Sequence, residues 1–279
     1  MIIGDMENKR RRGMAKVHEA IRLGKGKTLL STGITGDDAR LAKAVTDAGV
    51  KMLEPNHPAV ALARGFEGVT TMHNAERVRH RLPLSIMVDV VKGVRSVVED
   101  DIYITVGVPG GFTELLPTPL ADEDFMHLSQ NGADGLHIHK STMEDLEDVL
   151  ARAHRYGLAV DAYIGHPNDL HVFGLAAATP EEVARTARRM EDAGCDMIGL
   201  MTGMSYEGAA AGDIPTVIKE RLAALVETVK VPTLAEGGIN PTNFKAFHNT
   251  GVNILVVGTS IDDRVKQAAV EAVGIYLEA

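Results

Sequence analysis

Eight times along the chain a short run of β-branched and aliphatic residues gives way to a Gly- or Pro-marked turn and then to an amphipathic helical segment. Strands separated by helices in this way pair in parallel, with the helices laid over the sheet. The runs are Thr28–Ser31, Val50–Glu54, Ile102–Val108, Gly135–His139, Ala159–Ile164, Met197–Met201, Thr233–Ala235 and Ile254–Val257. Eight such units predict one α/β domain over residues 1–279, a (β/α)8 TIM barrel. Residues 1–25 predict a helical extension across its bottom. Several strands are introduced by the same helix-ending signature: Asp47-Ala-Gly-Val50, Asn131-Gly-Ala-Asp134 and Asp192-Ala-Gly-Cys195. Glycine there accepts the left-handed conformation that closes a helix.

Two stretches need arbitration. Residues 84–98 are apolar enough for a strand, but positions 87, 90, 91, 94, 97 and 98 follow helical spacing, so they predict a helix. The third strand is then Ile102–Val108, and Pro55–Pro83 is a long connection carrying short helices. Pro109-Gly110-Gly111 to Pro119 reads as a loop, suited to a lid or a subunit contact.

A core of small aliphatic residues suits the composition: apolar residues make up 45% of the chain, aromatics 4%, and Trp is absent. The net charge of −9 argues against nucleic acid or an acidic membrane as a partner. The basic run Lys9–Arg12 reads as a solvated helix start. Cys195 is the one cysteine, which excludes an intrachain disulfide and fits a reducing compartment. With neither a membrane-length apolar run nor a signal-like N-terminus, a cytoplasmic location is expected.

In a barrel of this kind chemistry sits at the C-terminal ends of the strands. The last two strands end in Glu236-Gly237-Gly238 and Gly258-Thr259-Ser260. Glycines let backbone amides approach an anion, hydroxyls add donors, and a following helix presents its positive end. Gly237, Gly238, Gly258, Thr259 and Ser260 are the predicted phosphate site. Glu54 ends the second strand, where a carboxylate can bind a divalent cation or take a proton. His137 and His139 lie two apart on the fourth strand, so both imidazoles project to one face, able to share a metal or to act in acid–base chemistry. Asp161 and Tyr163 share a face of the fifth strand in the same way. Glu236 is an acid–base or metal candidate, and His166 stands at the strand-five rim. Lys140 reads as a surface residue.

These motifs resemble the ribulose-phosphate-binding barrels, most of all the 3-hexulose-6-phosphate synthase and 3-keto-L-gulonate-6-phosphate decarboxylase group. The likeness lies in Gly132-Ala-Asp134, Thr202-Gly203 with Ala210-Ala-Gly-Asp213, Gly237-Gly-Ile239, Val257-Gly-Thr-Ser-Ile261, and Gly49 to Glu54 with Pro58. The resemblance implies a sugar phosphate, enediolate chemistry, a Glu54 that helps hold magnesium, and a homo-oligomer, dimeric or larger. The group's strand-one acid is replaced by Ser31-Thr-Gly33, its Asp-x-Lys-x-x-Asp signature is missing, its strand-six His is Met201, and the Arg that commonly follows its strand-eight glycine is Thr259.

The expectation is therefore an enzyme acting on a small phosphorylated sugar or sugar acid, as a lyase (aldolase or decarboxylase) or an isomerase/epimerase. An enediolate needs positive charge beside it. With the lysine signature gone, a divalent metal (Mg2+ or similar) on Glu54 and His139, or an imidazolium, takes that place. His137, Asp161 and Glu236 complete the catalytic candidates. The rival readings are a metal-free epimerase using two carboxylates and a phosphosugar-binding regulatory barrel without catalysis; a heterocycle-phosphate enzyme of the kind found in tryptophan or thiazole biosynthesis shares this barrel end but is disfavoured by the low aromatic content.

Overall fold

The computed structural model describes residues 3–33, 38–113, 116, 118–203 and 212–277. Within them lie eight barrel strands: β1 Leu29–Thr32, β2 Met52–Leu53, β3 Tyr103–Phe112, β4 Gly135–His139, β5 Ala159–Gly165, β6 Met197–Met201, β7 Thr233–Glu236 and β8 Ile254–Val256. Each pairs in parallel with the next, and β8 returns to β1 (Leu29 opposite Ile254), which closes a TIM barrel. All eight fall on the predicted runs.

Alternation along the strands divides the apolar residues into two cores. Leu136 and Ile138 of β4 and Val160, Ala162 and Ile164 of β5 face the helices. Ala159, Tyr163, Met197, Leu234 and Ile254 fill the interior with Met52 and Tyr103. Side chains two apart share a face, so His137 and His139, Asp161, and Glu236 belong to the inner set. Interior packing is apolar at the bottom and polar at the top, where the strands end.

Helix Ile3–Leu23 closes the bottom by pressing Met14 and Val17 into the interior core. Lys9 and Arg10, expected in solvent, instead seat that helix. Lys9 Nζ donates to the Ala133 carbonyl at 2.7 Å, and Arg10 Nη1 to Asp196 Oδ1 at 2.8 Å. Their long aliphatic stems lie along the barrel base while the charges reach acceptors that precede β4 and β6. Arg11 stays exposed.

Helix Leu84–Arg95 forms as its spacing requires, burying Met87, Val90, Val91 and Val94. The connection before it carries helices His57–Ala63 and Met72–Val78 and a 3-10 turn, Arg79–Arg81. The third strand is longer than expected. It runs through Pro109-Gly110-Gly111 to Phe112 and is buried throughout. A bulge makes this feasible: Gly107 pairs with His137, yet Phe112 pairs with His139. Gly110 adopts φ +84, and a Cβ there would lie 2.2 Å from the Thr118 carbonyl oxygen. The bulge delivers Phe112 to the two histidines. No helix among the described residues is long and apolar enough to cross a membrane.

Candidate active site

Barrel closure assembles Glu54, His137, His139, Asp161, Tyr163 and Glu236 at the C-terminal end of the interior. Glu54 follows β2 and is 1% exposed. Its Oε1 accepts from Asn56 Nδ2 at 3.0 Å, and its buried Oε2 has no hydrogen-bond partner among the described residues. Glu236 ends β7 opposite Met201 and keeps 22% side-chain exposure, toward the mouth.

The register that sets His137 beside Asp161 also orients both rings. Asp161 Oδ2 lies 2.7 Å from His137 Nδ1, and Thr105 donates its hydroxyl to the other carboxylate oxygen. The Phe173 carbonyl, 3.1 Å from His139 Nδ1, can only accept, so that nitrogen carries a proton. The two Nε2 atoms then face each other at 2.6 Å. Glu236 Oε2 is 3.4 Å and Glu54 Oε1 3.6 Å from His137 Nε2. Tyr163 stacks on His139 with centroids 4.6 Å apart, and Phe112 packs on its other flank at 4.5 Å.

Burial and mutual charge set the protonation states. Burial alone lowers His137, but Glu54, Glu236 and Asp161 outweigh it and raise the imidazole to about 10. Burial, then the His137 charge, holds His139 well below the usual histidine range, so it is a neutral acceptor. Burial raises Glu54, and burial with the Glu54 charge raises Glu236 to about 8. Burial, and then the Glu236 charge, raises the Tyr163 phenol well above its ordinary value, so it stays protonated. Pairs of groups driven apart in this way divide acid from base.

One donor atom each from His137, His139 and Glu236 lies within 4.8 Å of the others. With Nδ1 of each ring engaged, both Nε2 atoms point to one place, where an ion would displace the proton of His137, and an Asp backing a ligating His is the usual support of such a centre. Glu54, whose Oε2 has no hydrogen-bond partner among the described residues, lies next to this group of three, its Oε1 3.6 Å from His137 Nε2. The residues present fit a divalent ion.

The expected phosphate residues occupy neighbouring turns at the same end, since Glu236 pairs with Val256. Gly238, Gly258 and Thr259 are exposed, and Thr259 opens helix Thr259–Leu277. Thr202 pins the β7 end by donating to the carbonyls of Glu236 and Gly237 at 2.8 and 2.7 Å. His166 is not brought to the cluster; its Nδ1 accepts from the Asn168 amide at 3.1 Å, which closes a turn. Lys140 is half-buried and braces the bulge, donating to the Phe112 carbonyl at 3.0 Å. The small-residue loop that follows β6 lies mostly outside the described residues, at 204–211. Thr105, Asn56, Phe112 and Phe173 escaped the sequence reading. None carries a local motif, and each matters only through the partner that folding gives it.

Residues 83–265 match the histidine biosynthesis protein family. The chain belongs to that family. No curated protein matches it. Solved structures share the fold. Phosphonopyruvate hydrolase in complex with oxalate and Mg2+ aligns with a TM-score of 0.64 at 16% identity, over 97% of this chain and 87% of that one. Tryptophan synthase from M. tuberculosis aligns at 0.61 and 13%, over 90% and 92%. 2,3-Dimethylmalate lyase, of the PEP mutase/isocitrate lyase superfamily, aligns at 0.60 and 15%, over 94% and 88%. The likeness to ribulose-phosphate-binding barrels holds at the level of that superfamily. The narrower likeness to the hexulose-phosphate synthase group rests on the motifs alone.

Proposed function

We propose that this histidine-biosynthesis-family barrel is a divalent-metal-dependent enzyme acting on a small phosphorylated sugar or sugar acid, as a lyase or an isomerase/epimerase working through an enediolate. One observation carries the reading: two imidazole Nε2 atoms converge beside the buried Glu54 and the half-buried Glu236. They do so at the barrel end where Gly237, Gly238, Gly258, Thr259 and Ser260 offer amides and hydroxyls for a phosphate. His137, His139, Glu236 and Glu54 hold the ion. Two imidazoles in the set favour a transition-series ion over the Mg2+ that an all-oxygen site takes. When bound, such an ion would supply the positive charge that enediolate chemistry needs.

The chain's own groups supply the rest. Asp161 and the Phe173 carbonyl fix both imidazole tautomers. In the ion-free cluster Glu236, raised to about 8, is poised to carry a proton near neutral pH, the role it would have in a metal-free enzyme. The Tyr163 phenol is a permanent donor beside it. Phe112, Tyr163 and Phe173 wall the rings from water.

A metal-free acid–base enzyme is the second reading. It is favoured by the 2.6 Å spacing, which suits a shared proton. Two nitrogens at about 2.1 Å from one tetrahedral ion stand roughly 3.4 Å apart, so an ion must spread the rings. The test measures metal content of full-length protein purified without chelator, then solvent-deuterium incorporation and cleavage across phosphorylated ketoses and sugar acids, before and after chelation. Bound metal with turnover lost on chelation is expected. Turnover that survives chelation establishes the metal-free reading. Phosphosugar binding without turnover of any compound overturns both, in favour of a regulatory barrel.

A further inference from the structure

Among the described residues the outer helices cover the barrel unevenly. Outward-facing residues of β2 to β7, such as Leu53, Leu136, Val160, Ile198 and Ala235, are 0% exposed. At the β8–β1 seam the cover thins: Leu255 keeps 6%, Val257 keeps 9%, and Leu30 is only half-buried. The helix on one side of that seam, Ala39–Asp47, buries Ala42 alone, and on the other side Phe244 is 43% exposed. In a (β/α)8 barrel the helix that belongs over this seam is the one that follows β8.

That helix, Thr259–Leu277, buries none of its residues. It continues unbroken from Gly258, and of its residues Ile261 packs against the core. Val270, Val273, Ile275, Tyr276 and Leu277 are 67%, 56%, 71%, 83% and 80% exposed. At 100° per residue, Val265, Ala269, Ala272, Val273 and Tyr276 fall on one side, with Arg264, Gln267 and Glu271 opposite. This is the pattern of a helix made to lie on an apolar surface, yet beyond Ile261 it covers little of its own chain.

We infer that the C-terminal helix docks on a second copy of this chain, filling the β8–β1 seam of the partner while the partner's helix fills its own. Plug and seat are both encoded in one sequence, so the exchange is reciprocal and closes as a two-fold dimer. A 19-residue helix is about 28 Å long, enough to run the height of the seam. The inference is independent of the chemistry proposed for the interior.

The test uses the full chain. Light scattering behind size exclusion is expected to give twice the monomer mass for the wild type. The double substitution Val273→Glu with Tyr276→Glu should give the monomer mass. Both side chains are exposed, so circular dichroism should show the barrel intact in the variant. A photo-crosslinking residue at position 273, in a mixture of isotope-labelled and unlabelled chains, should join position 273 of one chain to residues 39–47 or 244–257 of the other. A monomeric wild type, links confined within one chain, or a dimer joined through any other surface would each overturn the inference.

Discussion

His137 and His139 sit two residues apart on one strand and meet through their Nε2 atoms at 2.6 Å. Two cations at that distance would repel strongly in a buried site, so at most one ring is charged. The surroundings choose which. His137 has Asp161, Glu54 and Glu236 about it, while His139 has a carbonyl and two aromatic faces. A symmetric sequence motif is thereby made into an unsymmetric pair.

Asp161 acts on that pair from behind, so Asp161→Asn tests its support without touching the donor atoms. Its side chain can still bridge Thr105 and His137, but the charge is gone. Metal affinity is expected to fall by about 10- to 100-fold, as for other carboxylates that back a ligating histidine. Competition against a fluorescent chelator measures it. Unchanged affinity would detach Asp161 from any ion-holding role.

The sequence made the alternating framework legible because its period and its helix-closing glycines are local. Gly194, for example, caps helix Pro180–Ala193 in the left-handed conformation. The period of two also brought His137 and His139 to one face correctly. Convergence of Glu54, Asp161 and Glu236 was not legible as geometry, because it depends on closure between strands far apart in sequence. The extended β3 was missed for a different reason. Pro109 ordinarily ends strand pairing, and only the bulge built on Gly110 lets the strand continue. Lys9 and Arg10 looked solvated because their acceptors, Ala133 and Asp196, are more than a hundred residues away.

Gly199 of β6 lies under the Tyr163 ring. A Cβ there would come within 2.2 Å of Tyr163 Cε1, and that ring stacks on His139. Gly199→Ala must displace the phenol. Overpacking of this kind costs about 1–3 kcal/mol, so the denaturant midpoint should fall at unchanged slope. A variant as stable as the wild type would show that the wall of the site is loosely held.

Protein stripped of metal should lose stability toward alkaline pH. Glu236 rises from 4.5 to about 8 and His137 from 6.5 to about 10. A group whose folded value is raised contributes stability that is present below its ordinary value and lost as pH climbs through the raised one. Measured against a variant with both His137→Gln and Glu236→Gln, which retains the opposing contributions of the lowered His139 and Lys9, the wild-type unfolding temperature should therefore decline from pH 5 through pH 10, with the upper part of the decline due to His137. Glu236→Gln should flatten the lower part. A decline toward acid over that range would reverse the assignment.

At the phosphate turns, space and charge can be separated by two substitutions. A Cβ on Gly258 meets nothing within 4 Å, so Gly258→Ala should fold as the wild type does. The added methyl group nonetheless stands where an oxyanion must approach the amide. Thr259→Asp leaves the turn's shape but puts a negative charge at the first residue of helix Thr259–Leu277. A ligand that binds only the folded state stabilises it by about 2.7 kcal/mol at a hundred times its dissociation constant. Inorganic phosphate should therefore raise the wild-type unfolding temperature, raise it less in Gly258→Ala, and have no effect on Thr259→Asp. Equal protection of all three proteins would move the anion elsewhere on the barrel and remove the ground for a phosphorylated substrate.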